Sequence, residues 1–260
     1  MRFALLLLSA LSLGACSHTS NTSTPPASTV NINLDYAHTS AGYRNSGLLN
    51  EGTLFLWDTK ENTLTDLQAD IELESGPPGP LEGRAAKQIS GIELEGKADL
   101  IKIVSAEVKA AVKNNVELTL ENASRVKNKN IYTAISKAYK TLELSGRDRM
   151  KAWHIDTIKS DPKRFKMVLT VHPIIANSEK ITIIKDASSE ASMTIHTKAS
   201  GDISVKFPNN STASCSGTGA KCLINLAVLN VYINENGNLD YTSARTYPGE
   251  KLASALRKIR

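Results

Sequence analysis

The chain has 260 residues, 41% of them hydrophobic and 22% charged, with a formal net charge of +5. That is apolar enough for a sizeable core, and with no Arg-rich run interleaved with aromatics it excludes nucleic acid as a partner. At 5% aromatic, the chain is also poor in the side chains that line a large binding cleft.

The first predicted element is an apolar run from Phe3 to Leu13 behind one basic residue, Arg2. A membrane-spanning helix needs about 20 apolar residues, so the run is too short to span. A charged start, a short apolar stretch and a small-residue site together make a signal peptide. Its last residues, Leu13-Gly14-Ala15-Cys16, resemble the lipobox of bacterial lipoprotein precursors. That resemblance, confined to residues 1–16, implies diacylation of the Cys16 thiol, cleavage after Ala15 and acylation of the new amino terminus. It also implies an outer-membrane address, because Ser17 stands where inner-membrane lipoproteins carry aspartate.

Ser17 to Thr29 is rich in serine and threonine, contains Pro25-Pro26 and has no apolar periodicity. It reads as a disordered tether holding the body on the order of 20 Å from the bilayer. The expected organisation is therefore a signal peptide over 1–15, a lipidated cysteine and tether over 16–29, and one β-rich domain over 30–260. The segment 75–83, with three prolines and three glycines, is a candidate internal boundary that reads better as a surface loop.

The body reads as α+β and predominantly antiparallel β, a hairpin-rich sheet or sandwich with one or two helices. Val30, Ile32, Leu34 and Tyr36 alternate with polar residues at the period of a half-buried strand. Residues 52–58 and 62–73 are further strand candidates.

The stretch 104–121 alternates more fully. Val104, Ala106, Val108, Ala110, Val112, Val116, Leu118 and Leu120 occupy even positions, and the odd ones are mostly charged or polar. A turn at Lys113-Asn114-Asn115 pairs Val112 with Val116, Ala110 with Leu118 and Val108 with Leu120, all on one face. A helix competes for the first half, with Leu100, Ile101, Val104, Val108, Ala111 and Val112 at helical spacing. It leaves Ile103 and Ala110 on the polar side and does not explain the following Val-Glu-Leu-Thr-Leu, so the hairpin is the expectation.

Residues 130–142 predict a helix with Ile131, Ala134, Ile135, Ala138 and Tyr139 on one face. Strands are expected at 153–158, 165–175 and 180–186. A hairpin turning at Ser200-Gly201-Asp202 would pair Thr197 with Val205 and Ile195 with Phe207. Another turns at Asn236-Gly237, the strongest short turn signal in the chain. At the end, Leu252, Leu256 and Ile259 follow Pro248-Gly249 at helical spacing. They predict a short helix docked on the body, with a basic foot on anionic lipid as the alternative.

Cysteine usage fits an oxidising compartment. Cys215 and Cys222 flank a glycine-containing loop and are expected to form a disulfide, two buried free thiols being the alternative.

Catalytic motifs are thin. No HExxH, GxSxG or Walker loop occurs, and Ser124 to Lys127 and Ser160 to Lys163 match SxxK without the motifs that accompany it in penicillin-binding proteins. His38, His154, His172 and His196 are scattered singly. No metal set, cofactor or catalytic residue is assigned.

The leading functional expectation is a membrane-anchored envelope lipoprotein with a non-catalytic binding or scaffolding role. Its partners would be the bilayer, through the acyl anchor, and another envelope protein. The alternative is a membrane-active or pore-forming protein that uses an amphipathic hairpin built from Val104, Val108, Val112, Val116, Leu118 and Leu120.

Overall fold

The computed structural model describes residues 28–259 apart from 47–48, 70, 82–84, 185–191, 199 and 208–214. Cys16, the expected lipobox and the expected tether up to residue 27 lie outside the described residues. In chain order come β1 (Ser28–Asn33), β2 (His38–Thr39), β3 (Gly42–Arg44), β4 (Leu54–Asp58), β5 (Thr63–Asp66), β6 (Gly79–Pro80), β7 (Ala85–Ala86) and β8 (Glu93–Glu95). Helix α1 (Ala98–Asn115) runs directly into β9 (Val116–Glu121), and β10 (Ser124–Arg125) follows. Helices α2 (Ile131–Leu144), α3 (Arg147–Ala152) and α4 (Ile155–Ser160) precede the long strand β11 (Phe165–Ile183). The chain ends with β12 (Ser192–Thr197), β13 (Gly201–Lys206), β14 (Ser216–Ile233), β15 (Leu239–Ser243) and α5 (Gly249–Leu256).

The fold is α+β and predominantly antiparallel β, as the alternation predicts. Strands β11 and β14 pair along most of their length and form the spine of the larger sheet, which β3, β4, β9, β10 and β15 join directly. A smaller sheet has the order β12-β13-β1-β8, with β1 and β13 parallel and the other pairs antiparallel.

Three apolar clusters hold these layers. One face of the spine packs Met167, Leu169 and Leu229 on Ile135, Tyr139, Trp153 and Ile158 from the α2 to α4 region. The opposite face packs Val168 and Val228 on Leu252 and Leu256 of α5, with Trp57 and Tyr43 between. The third cluster lies between the far end of the spine, the smaller sheet and α1, and joins Val104, Val108 and Val112 to Val30, Ile203 and Leu223.

A bulge separates the two halves of β11. Val171 faces Asn225 and Ile174 faces Leu223, so one extra residue sits in β11. The extra backbone is held by side chains. The His172 N–H donates to Asn128 Oδ1 at 2.6 Å, the Asn128 N–H to His172 Nδ1 at 2.9 Å, and Asn225 Nδ2 to the His172 carbonyl at 3.1 Å. His172 takes a left-handed φ of 47° immediately before Pro173, a conformation that needs such support. By opposing two residues to one, the bulge turns Val171 and Ile174 to the same face of the sheet.

Several expectations need correction. The hairpin over 104–121 is instead α1 followed by β9. Val104, Val108 and Val112 recur every four residues, so one helical stripe buries all three, while the even-numbered Ala106 and Ala110 stay exposed. The strand expected at 153–158 is the short helix α4, which buries Ile155 and Ile158 one turn apart. The strand over 62–73 ends at Asp66, two residues before Gln68 with its φ of 47°.

The β12–β13 hairpin keeps its predicted face but not its register: Thr197 lies opposite Gly201, Ile195 opposite Ile203 and Met193 opposite Val205. Ser28 and Thr29, expected at the end of the tether, are instead the first residues of β1. The segment 75–81 runs as an edge beside β10, with Gly79 and Pro80 opposite Arg125 and Ser124, where a proline costs no interior ladder bond.

Candidate functional site

The four histidines among the described residues do not converge on a nucleophile. His38 packs tilted against Tyr43, with ring centroids 4.7 Å apart, and burial holds its imidazole below the ordinary value. His172 spends its Nδ1 on the bulge, and burial with nearby Arg125 likewise holds it low. His196 sits on an exposed strand face 2.5 Å from Asp202. His154 caps the start of α4 with a left-handed φ of 53°. Among the described residues no group of three or more His, Cys, Asp or Glu side chains could hold a metal.

What the fold does bring together is a layer of amphipathic segments. The six residues expected on the hairpin are all buried: Val104, Val108, Val112, Leu118 and Leu120 at 0% exposure and Val116 at 1%. They share one core with Met193, Ile195, Ile203, Val205 and Phe207 of the β12–β13 region. The opposite faces are wet. Lys102, Glu107, Lys109 and Lys113 of α1 are exposed, as are Thr194, His196, Asp202 and Lys206 of the hairpin. Each segment thus hides one apolar face against the other. No helix among the described residues is long and apolar enough to cross a membrane.

A charged cluster sits beside this layer. Glu179 shares its side of β11 with Ile181 and Ile183, opposite Leu120, Leu118 and Val116 of β9. Its Oε1 accepts a hydrogen bond from Arg44 Nε of β3, while Oε2 is buried without a hydrogen-bond partner among the described residues. Burial pushes the Glu179 carboxyl up, and the Arg44 guanidinium draws it part of the way back. Arg44 Nη1 also meets Asp35 Oδ1 at 3.2 Å. Asp35 accepts from Ser46 Oγ at 2.9 Å, and its carbonyl from Arg257 Nη1 at 2.8 Å. Arg257 completes the set with Glu93 of β8 at 3.4 Å. The cluster ties α5 and both sheets to the turn after β1.

Sequence reading missed this cluster. The one visible signal is an isolated acid, Glu179, on the apolar parity of its strand. Arg44, 135 residues away, gives none.

Cys215 and Cys222 form the expected disulfide, with Cα atoms 5.0 Å apart. It closes a wide bulge where the partner of β11 steps from Ala220, opposite Ala176, to Ser216, opposite Ser178. Away from this region, a groove of about 480 Å³ runs along α2, with Trp153, Leu73 and Leu142 among its apolar residues and Gln68, Glu74 and Lys137 among its polar ones.

No family model matches the chain, and no curated protein matches it. Among solved structures, a bacterial gasdermin from Bradyrhizobium tropiciagri is similar over 82% of this chain and 86% of that chain, with 10% identity and a TM-score of 0.34. A likeness that distant carries neither a shared fold nor a shared activity.

Proposed function

We propose that this is a lipid-anchored protein of the bacterial envelope whose β-rich body acts on membranes. The anchor reading rests on Leu13-Gly14-Ala15-Cys16, and its home would be the outer membrane, with the body in the periplasm or at the cell surface. With several acyl chains on Cys16, attachment is stable rather than reversible. Labelled fatty acid should enter the wild-type protein and not Cys16→Ser, which should also keep its signal peptide. Incorporation and processing that survive in the mutant would remove the anchor from the account.

One observation carries the membrane reading. The α1–β9 segment and the β12–β13 hairpin hide faces of small and medium apolar side chains against each other, with the polar faces already in water. Segments of this kind can exchange one apolar contact for another, and lipid is the nearest alternative for an anchored protein. The lipidated protein, added to dye-loaded anionic vesicles, should release the dye, and a lipopeptide of residues 16–29 should not. Equal release by both would assign the effect to the acyl chains. No release by the protein would end the membrane reading.

A second reading is a binding or scaffolding module, and the groove along α2 favours it. A volume of about 480 Å³ falls within the ordinary range for ligand sites, about 300–1,000 Å³. Photo-crosslinking from Thr141 in cells would test it, since a specific envelope protein should be trapped there and lost on Leu142→Glu.

A further inference from the structure

One wall of the groove along α2 is an irregular strap. Glu72, Leu73 and Glu74 line the groove from residues 72–80, most of which are exposed. With so little apolar burial, the strap depends on hydrogen bonds to the segment 125–130. The Gly76 N–H donates to the Lys127 carbonyl at 2.8 Å, and the Lys129 N–H to the Glu74 carbonyl at 3.0 Å. Asn130 Oδ1 accepts from the Glu74 N–H at 2.8 Å, and its Nδ2 donates to the Glu72 carbonyl at 3.2 Å. Beyond these bonds the strap runs into the two-residue β6–β10 ladder.

Asn128 stands in the middle of that segment, 8% exposed, and ties it in two directions. Towards the strap, its Nδ2 donates to Ser75 Oγ at 3.2 Å and to Glu51 Oε1. Ser75 Oγ donates to the same Glu51 oxygen at 2.7 Å. Towards the spine, the Asn128 N–H donates to His172 Nδ1 and its Oδ1 accepts from the His172 N–H. The Val126 N–H adds a bond to the Pro173 carbonyl at 2.9 Å. Of the ties to β11, the one at the residue facing Ser75 is made to an imidazole nitrogen.

An imidazole nitrogen accepts only while it carries no proton, so the neutral ring of His172 holds its proton on Nε2. A second proton would put an N–H on Nδ1 facing the N–H of Asn128, donor against donor. That backbone N–H is then left without an acceptor. The left-handed φ of 47° at His172 loses support at the same time.

Charges around the ring set the direction. Arg125 and Lys127, from β10 and the residues after it, oppose a charge on the ring, and Glu51 from the turn before β4 favours one. From β14 the neutral Asn225 amide reaches the His172 carbonyl, and from the strap the neutral Ser75 hydroxyl lies behind Asn128. Burial and the two cations outweigh Glu51, so the ring in the closed strap titrates below its ordinary value. Opening returns the ring towards water and the ordinary value of about 6.5. It therefore takes up a proton, and is favoured as pH falls below about 6.5.

We propose that His172 is an acid-released latch: protonation of its Nδ1 frees Asn128, and residues 72–76 move away from 126–130 and widen the groove along α2. The spine stays closed, because β11 and β14 pair on both sides of the bulge. Opening needs neither a ligand in the groove nor a membrane.

Amide exchange of the full chain in detergent, corrected for the intrinsic pH dependence of exchange, reads the latch at the Gly76 and Lys129 N–H groups. Their protection should fall below about pH 6.5 by up to about tenfold per pH unit, the limit for one proton. Val168 and Leu169 of the spine should stay far better protected throughout. His172→Gln, neutral at every pH, should remove the dependence. Constant protection in the wild type, strap amides no less protected than the spine, or a fall that persists in His172→Gln would each overturn the latch. The ring nitrogen shifts of wild-type His172 decide the matter without any variant. A proton on Nε2 alone at pH 7.5, and a ring titration that coincides with the loss of strap protection, are expected. A proton on Nδ1 at pH 7.5, or a titration that does not coincide, would overturn the latch.

Discussion

Glu179 and Arg44 meet inside the protein with side chains 4% and 2% exposed, and the second carboxylate oxygen of Glu179 has no hydrogen-bond partner among the described residues. The pair joins β11 to β3 beside the core that α1 covers. A buried ion pair of this kind is costly to break from one side, because the remaining charge stays desolvated. Arg44→Met should therefore lower stability by about 3–5 kcal/mol in urea unfolding. The double variant Arg44→Met, Glu179→Leu should recover most of that loss. If the double variant is no better than the single, the pair contributes through Asp35 and not through Glu179.

The buried histidines give the fold a pH dependence with a definite sign. His38 and His172 both titrate below the ordinary imidazole value of about 6.5, because burial disfavours their charged forms. The unfolded chain takes up these protons first, so stability present above about pH 6.5 is lost as pH falls towards the folded values. Glu179 acts in the opposite direction. Its raised carboxyl binds a proton before the unfolded chain does, so its contribution grows as pH falls through the raised value towards the ordinary one. Urea midpoints at pH 7.5 and 5.5 should show a net fall, and His172→Gln should flatten it. A midpoint that rises over this interval would mean that the glutamate dominates.

Substitutions along α1 separate the helix from a strand. Val108 is fully buried and Lys109 is exposed, so Val108→Lys should cost at least about 3 kcal/mol and Lys109→Thr should stay within about 0.5 kcal/mol. Ala110 is the sharper probe. It is exposed on the helix but would face the core of a hairpin. Ala110→Glu should leave the urea midpoint of the protein in detergent almost unchanged, and a large loss would mean that the segment is already a strand.

The terminal helix docks as its spacing predicts. Leu252, Ala253, Ala255 and Leu256 are all at 0% exposure, packed with Trp57 and Tyr43. Leu256→Ala should cost about 2–5 kcal/mol, and deleting Lys251 to Arg260 should lower the melting temperature in the absence of lipid. Unchanged melting together with loss of vesicle binding would restore the basic foot in place of docking.

What could be read in the sequence divides along physical lines. Val30 and Ile32 at period 2, the Ile131 to Tyr139 stripe and the Asn236-Gly237 turn are local patterns, and local patterns survive folding. Residues 104–115 satisfy both periods at once, because positions four apart share a helical face and also a strand parity. The sequence alone cannot break that tie; packing of Val104, Val108 and Val112 on the smaller sheet does. The β12–β13 register was open for a similar reason, since the expected and observed pairings differ by an even number of residues and bury the same face. Arg44 and Glu179 lay beyond reach because their pairing is made only by tertiary structure, and α4 because one helical turn of Ile155 and Ile158 is too short a window.

The most direct test of a membrane-acting body is electrical. The lipidated protein, added to one side of a planar bilayer held at constant voltage, should produce discrete conductance steps that scale with protein concentration. The lipopeptide of residues 16–29 should give a flat trace. A flat trace from the full protein, at concentrations where it is demonstrably bound to the bilayer, would contradict the account.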